Sequence, residues 1–458
     1  MLETVFNQSI WGDEGFSAIL SMKSIPDILK IISRDTSPPL WNIFEHLLFR
    51  YLGAEEIYIR GLSFAFFFAT VIFTYKIGSF LFSRKTGFLA AILTFLNPFF
   101  FTYAFEGRMY SIMSLGVAAS MYYFLRIFRN EEGIRRRDKL GYVVFTLWAL
   151  YSHHFAFFAV AVQGLWWLYE LTIGKRARAK KMFKIFLITG LGYLPWLYPL
   201  YTQTKMVGGG FWLGTPNLTD LRNLIYDYLA EGIKQHPYVV PFLNKGLHQI
   251  ALYLVLAALL LRNWFKNFKS SFFLLLWFLL PIGATWIISQ RFQSIFFNRY
   301  LLYTIPGAML VLSSSRRRLL SPILLSLVVG LFATIDIYYF THPTKPPFRE
   351  YATYVKTVKK EGDFLINWNS KSHHLWETKY YGIGAPIYIP SGGNLPFFVG
   401  TALMEDKDII KEIPKEVRRV GVVTSGPVDE ITLPGYSEKE VKEFDELKFI
   451  WYLKSNEE

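Results

Sequence analysis

The sequence predicts a polytopic α-helical membrane protein that ends in a small soluble α/β domain. Of its 458 residues, 52% are hydrophobic and only 18% are charged, whereas a soluble globular domain usually carries about 25% charged residues. The apolar residues form blocks of about 16–22, close to the ~20 that an α-helix needs to cross the hydrocarbon core. The blocks are apolar on every face instead of amphipathic, which argues against a large soluble helical core.

About ten such blocks follow one another along the chain. They lie at roughly 61–82, 86–104, 109–128, 140–155, 156–173, 184–202, 247–261, 272–289, 299–314 and 319–340. Lysine and arginine concentrate in alternate loops, at 84–85, 126–139, 175–184, 262–269 and 316–318. By the positive-inside rule those loops face the cytoplasm. The extracytoplasmic side is therefore expected to hold residues 1–60, 203–246 and 341–458.

The same pattern predicts three domains. Residues 1–60 form an extracytoplasmic first loop, in which the amphipathic stretches 17–33 and 40–52 are expected to lie as helices on the membrane surface. Residues 61–340 form the transmembrane domain. Residues 341–458 are charged and mixed in composition, as in a soluble extracytoplasmic α/β domain. There the sequence predicts a helix, a strand, a helix and three strands at 348–360, 363–368, 371–381, 386–389, 418–424 and 447–454.

The N-terminal residues raise a question of topology. They contain neither a signal peptide nor a spanning segment, yet the charge pattern places them outside the cytoplasm. We expect a first transmembrane helix to be missing from this form of the chain. The alternative is that the following helix translocates the N-terminus.

Charge and cysteine content exclude several classes of function. The net charge of +14 would favour nucleic-acid binding in a soluble protein. Here the basic residues lie between apolar blocks, where they determine topology, so the expected partner is the lipid bilayer and not a nucleic acid. The chain has no cysteine, which excludes disulfides, thiolate nucleophiles and cysteine-bound metals.

Two adjacent acids, Asp13 and Glu14, stand in the expected first outer loop. Asp before an amphipathic helix is typical of an N-cap, which satisfies free backbone N–H groups. The functional alternative is a general base near the membrane interface, where partial desolvation raises the pKa of a carboxyl group. The sequence leaves both interpretations open.

A second candidate lies in a very tight turn between two apolar blocks, where Glu106, Arg108 and Tyr110 follow one another at alternate positions. Charged residues at a span end often only anchor the helix at the interface. The turn is so short that Glu106 and Arg108 are expected to pack close together, and ion pairs at the membrane edge commonly mark functional sites.

Three arginines, Arg60, Arg108 and Arg299, are expected at the outer ends of spans, and Tyr300 follows the last of them. A guanidinium can grip a phosphate through two parallel hydrogen bonds. Each arginine alone is typical of an interfacial anchor, but three of them around one acidic pair indicate a phosphate-binding cavity.

Paired histidines occur at His153-His154 and His373-His374. Their spacing is not the i, i+4 arrangement of helical zinc sites. Packing or hydrogen bonding at the interface is the expected role, and His154 is the candidate that could face the cavity.

In their order these motifs resemble the GT-C superfamily of polyprenyl-phosphate-dependent glycosyltransferases. The closest branch contains the protein O-mannosyltransferases and the aminoarabinose transferase of lipid A. The features that match over about residues 11–315 are Asp13-Glu14, Ser37-Pro38-Pro39-Leu40, Gly53, Arg60-Gly61-Leu62-Ser63, Asn97-Pro98, the Glu-x-Arg-x-Tyr turn at 106–110, and Arg299-Tyr300-Leu301. One departure is Ser37, which stands where the family has histidine and weakens any role for that side chain.

The resemblance implies an inverting transfer of a sugar from a polyprenyl-phosphate donor to an extracytoplasmic acceptor such as a protein, lipid or cell-envelope glycan. It assigns the role of catalytic base to Asp13, with Glu14 beside it. The leaving phosphate would be bound by Arg60, Arg108 and Arg299. The cavity would be lined by Glu106, Tyr110, His154 and Tyr300. This reaction requires no cofactor or metal, although the resemblance leaves open whether a divalent cation binds in the cavity.

Two other classes of function remain. Transporters and lipid flippases place ionisable groups near the bilayer midplane. Here Glu170 and Asp336 lie towards span ends, Lys76 lies deeper, and most ionisable residues gather at the outer rim, which favours chemistry on a lipid-linked substrate. A third class is a non-catalytic protein that binds or assembles glycans through its terminal α/β domain.

Overall fold

The computed structural model describes residues 4–129, 133–173, 176–231, 268–314, 320–368 and 373–455. The chain forms two compact units. The first combines Met1–Ile31, Asn42–Ile59 and His342–Glu458, and the second combines Ile32–Trp41 and Arg60–Thr341. Most of the N-terminal loop therefore belongs to the same unit as the terminal α/β region.

Helices dominate the described chain. In order they are α1 (Gly12–Ser21), α2 (Ile25–Ile32), α3 (Leu40–Leu52), α4 (Glu56–Leu81), α5 (Arg84–Phe95), α6 (Pro98–Ala104), α7 (Tyr110–Arg129), α8 (Arg136–Ser152), α9 (Ala156–Thr172), α10 (Arg176–Tyr193), α11 (Leu197–Gly208), α12 (Leu218–Tyr226), α13 (Phe268–Ser289), α14 (Ile305–Ser313), α15 (Leu320–Thr341), α16 (Phe348–Val358) and α17 (Leu375–Tyr380). The predicted block 247–261 and the loop residues from 232 onward lie outside the described residues.

Three of the described helices, α4, α7 and α13, are long and apolar enough to cross a membrane. A fourth span results if α5 and α6, which meet at 66°, count as one. The other described blocks form shorter or interrupted helices: α8 and α9 have 17 residues each, and the block at 299–314 divides into a 3₁₀ turn and α14. By length and composition, the described residues thus show three or four of the expected spans.

Helix α7 forms the centre of the second unit. Its apolar window is 83% buried by other parts of the chain, against 39% for α4 and 44% for α13. Large apolar side chains are exposed on the surrounding helices, among them Ile72, Phe88, Leu191, Leu279 and Leu327. A soluble monomer rarely exposes apolar surface on this scale, whereas lipid tails would cover it.

A glycine and a polar network fix α7 against its neighbours. A Cβ atom at Gly116 would lie 2.7 Å from the backbone nitrogen of Ala149 in α8, so only glycine allows this approach. One turn further on, Ser120 Oγ bonds Thr146 Oγ1 at 2.7 Å and accepts from Gln163 Nε2 in α9 at 2.9 Å. Small residues and hydroxyl bonds are the usual means of helix association in an apolar medium.

The terminal region of the first unit is a six-stranded sheet with helices packed on it. Its strands are β1 (Phe364–Trp368), β2 (Ile387–Tyr388), β3 (Ile409–Ile410), β4 (Arg419–Thr424), β5 (Tyr436–Phe444) and β6 (Leu447–Lys454), in the spatial order β3-β2-β1-β4-β6-β5. The first four are parallel, and β6 pairs antiparallel with both β4 and β5. Both faces of the central strands are buried, because neighbouring residues such as Leu365 and Ile366 enter separate hydrophobic clusters.

Two local expectations differ from the structure. The single helix expected at 17–33 is two helices, because the chain breaks at Lys23 and Ser24 and Pro26 lies in the first turn of α2, where proline is tolerated. The strand β5 was not predicted from the sequence. Its residues are exposed and mostly charged, as suits an edge strand that must not pair with another chain.

We predict that Gly116→Leu destabilises the second unit by about 1–3 kcal/mol, because the new side chain overlaps the backbone of α8. Thermal unfolding of the full chain in detergent, followed by intrinsic fluorescence, measures the effect. The matched control is Gly164→Leu in α9, where an added Cβ meets no atom within 4 Å. Equal melting temperatures for the two variants would contradict the close packing of α7 on α8.

We also predict that Asp363→Asn lowers the stability of the sheet. Arg419 donates two hydrogen bonds to this carboxylate, from Nε at 2.8 Å and from Nη2, and the backbone N–H of Lys360 donates a third at 2.6 Å. Burial by itself raises the pKa of the Asp363 carboxyl, but these bonds outweigh it and lower the pKa overall. Hydrogen bonds to a charged group contribute about 1.5–3 kcal/mol.

Because the pKa of folded Asp363 is lowered, its stabilisation is present above the unfolded value of ~3.9 and is lost as the pH falls through the folded value. Hydrogen exchange of the β4 amides should therefore be faster in Asp363→Asn than in the parent at pH 7, with the difference shrinking below about pH 4. Asp429→Asn, an exposed aspartate in the same unit, is the control and should leave exchange unchanged. A pH-independent difference would refute the electrostatic cause.

Candidate active site

The tight turn between α6 and α7 holds the first group of candidate residues. Helix α6 ends at Ala104 and α7 begins at Tyr110, so the chain reverses within five residues. The backbone N–H of Arg108 donates to the carbonyl of Glu106 at 2.7 Å, which closes the turn. Glu106 is buried and Arg108 is half-buried.

Glu106 forms an ion pair with Arg299. The distance from Arg299 Nη1 to Glu106 Oε1 is 3.7 Å. The guanidinium also lies over two aromatic rings, 5.0 Å from the centroid of Phe297 and 5.7 Å from that of Tyr110. Cation–π contacts of this kind attract a guanidinium to the ring face and fix its plane. Arg299 is therefore held on several sides, in a 3₁₀ turn at Asn298–Thr304.

Tyr300 connects this pair to an aromatic cluster. Its ring lies 5.0 Å from His153, 5.1 Å from Phe155, 5.2 Å from Phe297 and 6.3 Å from Tyr110. Of these rings, Tyr110 and Tyr300 were predicted from the sequence, whereas Phe155 and Phe297 were not. Both missed residues lie within two or three positions of predicted ones, but aromatic side chains are so frequent in this chain that proximity in sequence could not single them out.

His154 belongs to a hydrogen-bonded support and not to the aromatic cluster. Its Nε2 bonds Gln203 Oε1 at 2.7 Å, and Gln203 Nε2 donates to the carbonyls of Ile32 at 2.8 Å and Ser37 at 3.4 Å. This is the hydrogen-bonding role expected for the paired histidines. The loop at Ser37 is held through its backbone, so the replacement of histidine at that position leaves this contact intact.

Arg60 is buried on α4, with only 1% of its surface exposed. One turn later Ser63 Oγ donates to Ser111 Oγ at 3.0 Å, and Ser111 Oγ donates to the carbonyl of Tyr103 at 3.3 Å. The Arg-x-x-Ser motif thus joins α4 to the first turn of α7, immediately after Tyr110.

Hydrogen bonds that begin at the bent helix pair α5–α6 hold the turn that carries Arg299. Asn97 caps α6 by accepting from Phe100 N at 3.0 Å, and its Nδ2 donates to the carbonyl of Tyr228 at 2.7 Å. Tyr228, in a π-helical turn at Asp227–Glu231, donates its hydroxyl to the carbonyl of Asn298. The Asn97-Pro98 motif therefore acts through Tyr228, a residue that the sequence did not reveal.

Asp13 and Glu14 lie in the first turn of α1, within the first unit. The helix begins at Gly12 with Trp11 as N-cap residue, so the interpretation of Asp13 as an N-cap is wrong. Acids in the first turn are favoured by the positive end of the helix dipole. Asp13 is half-buried and Glu14 is fully buried.

The structure thus brings together Glu106, Tyr110, Arg299 and Tyr300 in the second unit, while Asp13 and Glu14 belong to the first. Over the part of the chain that the structure describes, no group of three or more histidine, aspartate or glutamate side chains could hold a metal ion.

By sequence, no protein-family model and no curated protein matches this chain. Solved structures do match its fold. The crystal structure of ArnT from Cupriavidus metallidurans bound to undecaprenyl phosphate has a TM-score of 0.65 and 11% identity, over 98% of this chain and 95% of ArnT. ArnT is an aminoarabinose transferase of the GT-C superfamily.

An archaeal oligosaccharyltransferase from Archaeoglobus fulgidus, in complex with zinc and sulfate, matches with a TM-score of 0.57 and 12% identity over 92% of this chain and 65% of that enzyme. The oligosaccharyltransferase AglB from Archaeoglobus fulgidus, in complex with an inhibitory peptide and a dolichol-phosphate, has a TM-score of 0.50 and 12% identity over 78% of this chain and 56% of AglB. AglB is also a GT-C enzyme. These likenesses confirm the resemblance that the order of motifs predicts: the chain has the fold of the GT-C superfamily.

Proposed function

We propose that this chain is an inverting glycosyltransferase that moves a sugar from an undecaprenyl- or dolichyl-phosphate donor to an acceptor outside the cytoplasm, such as a protein, a lipid or a cell-envelope glycan. The observation that carries the proposal is the Arg299 guanidinium, paired with Glu106 and held over two aromatic rings in a helical unit of GT-C fold. Among proteins of this fold, ArnT binds undecaprenyl phosphate and AglB binds a dolichol-phosphate.

The arginine suits a lipid-linked phosphate for electrostatic reasons. The contact between Arg299 and Glu106 is 3.7 Å long, whereas a charge-assisted hydrogen bond measures about 2.7–2.9 Å. The pair with Glu106 offsets part of the charge of Arg299, whose planar guanidinium carries five N–H donors. In the proposed reaction Arg299, together with Arg60 and Arg108, stabilises the negative charge that grows on the departing phosphate.

Asp13 is the proposed base. Its carboxylate takes the proton of the acceptor hydroxyl, and the acceptor oxygen attacks the anomeric carbon of the sugar. The bond from that carbon to the phosphate oxygen breaks, and polyprenyl phosphate leaves with the electron pair. Attack opposite to the leaving group inverts the anomeric configuration. Glu14 lies beside Asp13 in the same turn, and Tyr110, His154 and Tyr300 are the proposed cavity residues.

The membrane has a direct part in this proposal. A polyprenyl donor is dissolved in the bilayer, so an enzyme that uses it must carry its phosphate site at the edge of an apolar helical unit. In this proposal that site and the terminal domain face the extracytoplasmic side of the cell membrane, which the loop-charge pattern supports. The exposed apolar surface of the helices supports the membrane location.

The proposal is tested with the full chain in lipid vesicles, supplied with a panel of undecaprenyl- and dolichyl-phosphate sugars. Mass spectrometry measures the release of polyprenyl phosphate and the new glycoside. Transfer of the donor across the bilayer without cleavage would show a flippase instead, and binding without release would show a glycan-binding protein. Comparison of surface glycans in cells with and without the gene identifies the acceptor.

We predict that Asp13→Asn lowers the rate of sugar transfer by about 10²–10⁴-fold, the usual contribution of a general base. The folded amount and melting temperature should not change, because the substitution keeps the size of the side chain. Asp27→Asn, an exposed aspartate on α2, is the matched control and should transfer at the parental rate. Near-normal transfer by Asp13→Asn would exclude Asp13 as the base.

We predict that Arg299→Gln lowers kcat/KM for the lipid-linked donor by about 10²–10³-fold, as expected for removal of one charge-stabilising donor. Arg299→Lys should recover only part of the loss, since an ammonium cannot grip a phosphate through two parallel bonds. Arg291→Gln, an exposed arginine after α13, is the control. Equal activity of Arg299→Gln and Arg291→Gln would remove Arg299 from the phosphate site.

A further inference from the structure

Helix α1, which carries Asp13, is seated on α17 of the terminal sheet region. Both belong to the first unit. A Cβ atom at Gly15 would lie 3.1 Å from the carbonyl carbon of Trp376, and Phe16 meets the Trp376 ring edge-on at 5.3 Å between centroids. Glycine at position 15 is what allows the two helices to approach so closely.

The first turn of α1 lies against the carboxylate of Glu377. A Cβ atom at Gly12, the residue before Asp13, would lie 3.5 Å from Glu377 Oε1. Glu377 is buried, with 4% exposure. Its Oε2 has no hydrogen-bond partner among the described residues. The N-cap residue Trp11 supplies no side-chain cap to α1, so a buried negative charge stands beside the positive end of a helix without a side-chain cap.

Two further side chains hold that carboxylate in place. His374 Nδ1 bonds Glu377 Oε1 at 3.3 Å, and His374 Nε2 bonds Ser425 Oγ at 3.0 Å. His374 follows β1, and Ser425 directly follows β4, its parallel neighbour. The strand order reverses between these two strands, and the crevice at such a reversal is where open α/β sheets place functional groups.

The order serine–histidine–glutamate also occurs in hydrolytic triads. Here the ring of His374 is only 7% exposed and packs against Phe348 at 5.2 Å between centroids. The bonded chain therefore ends in a buried carboxylate that faces α1, and its geometry suits the support of Glu377 better than attack on a substrate.

We propose that Glu377 is a positioning residue for the sugar transfer: its carboxylate, fixed by His374 and Ser425, holds the first turn of α1 and makes Asp13 a stronger base. This inference rests on the proposed function of Asp13. A negative charge at the start of a helix stabilises that end, and a second carboxylate close to a first makes the first bind its proton more tightly. The terminal domain thereby takes part in the reaction.

The two packed helices carry further charged or titratable groups. On α1 they are Asp13 and Glu14, and at α17 they are His373, His374 and Lys379. Lys379 pairs with Asp408. A substitution that removes only the charge of Glu377 should therefore change the electrostatic potential at Asp13 and leave these groups in place.

The test compares Glu377→Gln with the parent in the vesicle assay, over a range of pH. We expect kcat to fall about tenfold, with KM for the donor unchanged, because the proposed phosphate ligands belong to the second unit. The acidic limb of the pH–rate profile should move to lower pH by about one unit. Glu377→Asp should restore part of the rate. Ser425→Ala removes the hydrogen bond to His374 but keeps the carboxylate of Glu377. It should shift the pH–rate profile in the same direction as Glu377→Gln, by a smaller amount.

Asp363→Asn is the structural control, because it removes a hydrogen-bonded carboxylate at the opposite, amino-terminal edge of the same strands. It should lower stability and leave the pH–rate profile unchanged. Parental kinetics of Glu377→Gln, or the same profile change in Asp363→Asn, would overturn the inference. Retained transfer by Asp13→Asn is a separate outcome, which overturns the proposed base itself.

Discussion

A carboxylate and a guanidinium can be held inside an apolar helical unit only if each offsets the charge of the other, and the candidate phosphate site depends on that constraint. Glu106 and Arg299 meet at 3.7 Å. One belongs to the tight turn before α7, and the other to the 3₁₀ turn before α14. Their contact therefore joins the starts of two helices, and the rings of Tyr110 and Phe297 limit how the guanidinium can turn.

Hydrogen bonds between distant parts of the chain maintain this arrangement. Asn97 caps α6 and binds the carbonyl of Tyr228, whose hydroxyl binds the carbonyl of Asn298. Gln203 links His154 to the loop at Ser37 in the same manner. In hydrocarbon an irregular backbone is tolerated only where other parts of the protein satisfy it. The turns that carry the candidate site residues are supported in this way.

The first unit is stabilised in a different way, by a sheet whose central strands are buried on both faces. Hydrophobic clusters on either side of β1 and β4 fix the carboxyl ends of these strands, and His374 and Ser425 follow there. Glycines at 12 and 15 let α1 lie against this edge without a side chain between them. The geometry of the acidic pair is thus determined by a region more than 350 residues further along the chain.

The class of fold could be predicted from the sequence, because apolar block length, loop charge and composition are properties of contiguous segments. The sequence predicted helices over most of the described second unit and four of the six strands. It did not predict β5, because the exposed, charged residues of this edge strand resemble those of a loop. It also did not predict β3, which has only two residues. The order of short motifs predicted the GT-C resemblance, which the solved structures confirm.

The partners of these motifs, in contrast, depend on the tertiary fold. The ion pair that joins Glu106 to Arg299, for example, was not predicted from the sequence. The contacts of Tyr228, Gln203 and Glu377 could not be predicted from the sequence, because they depend on which distant residues folding places beside them. Residue type and spacing encode helices and strands, whereas contacts between distant segments depend on the packing of the whole unit.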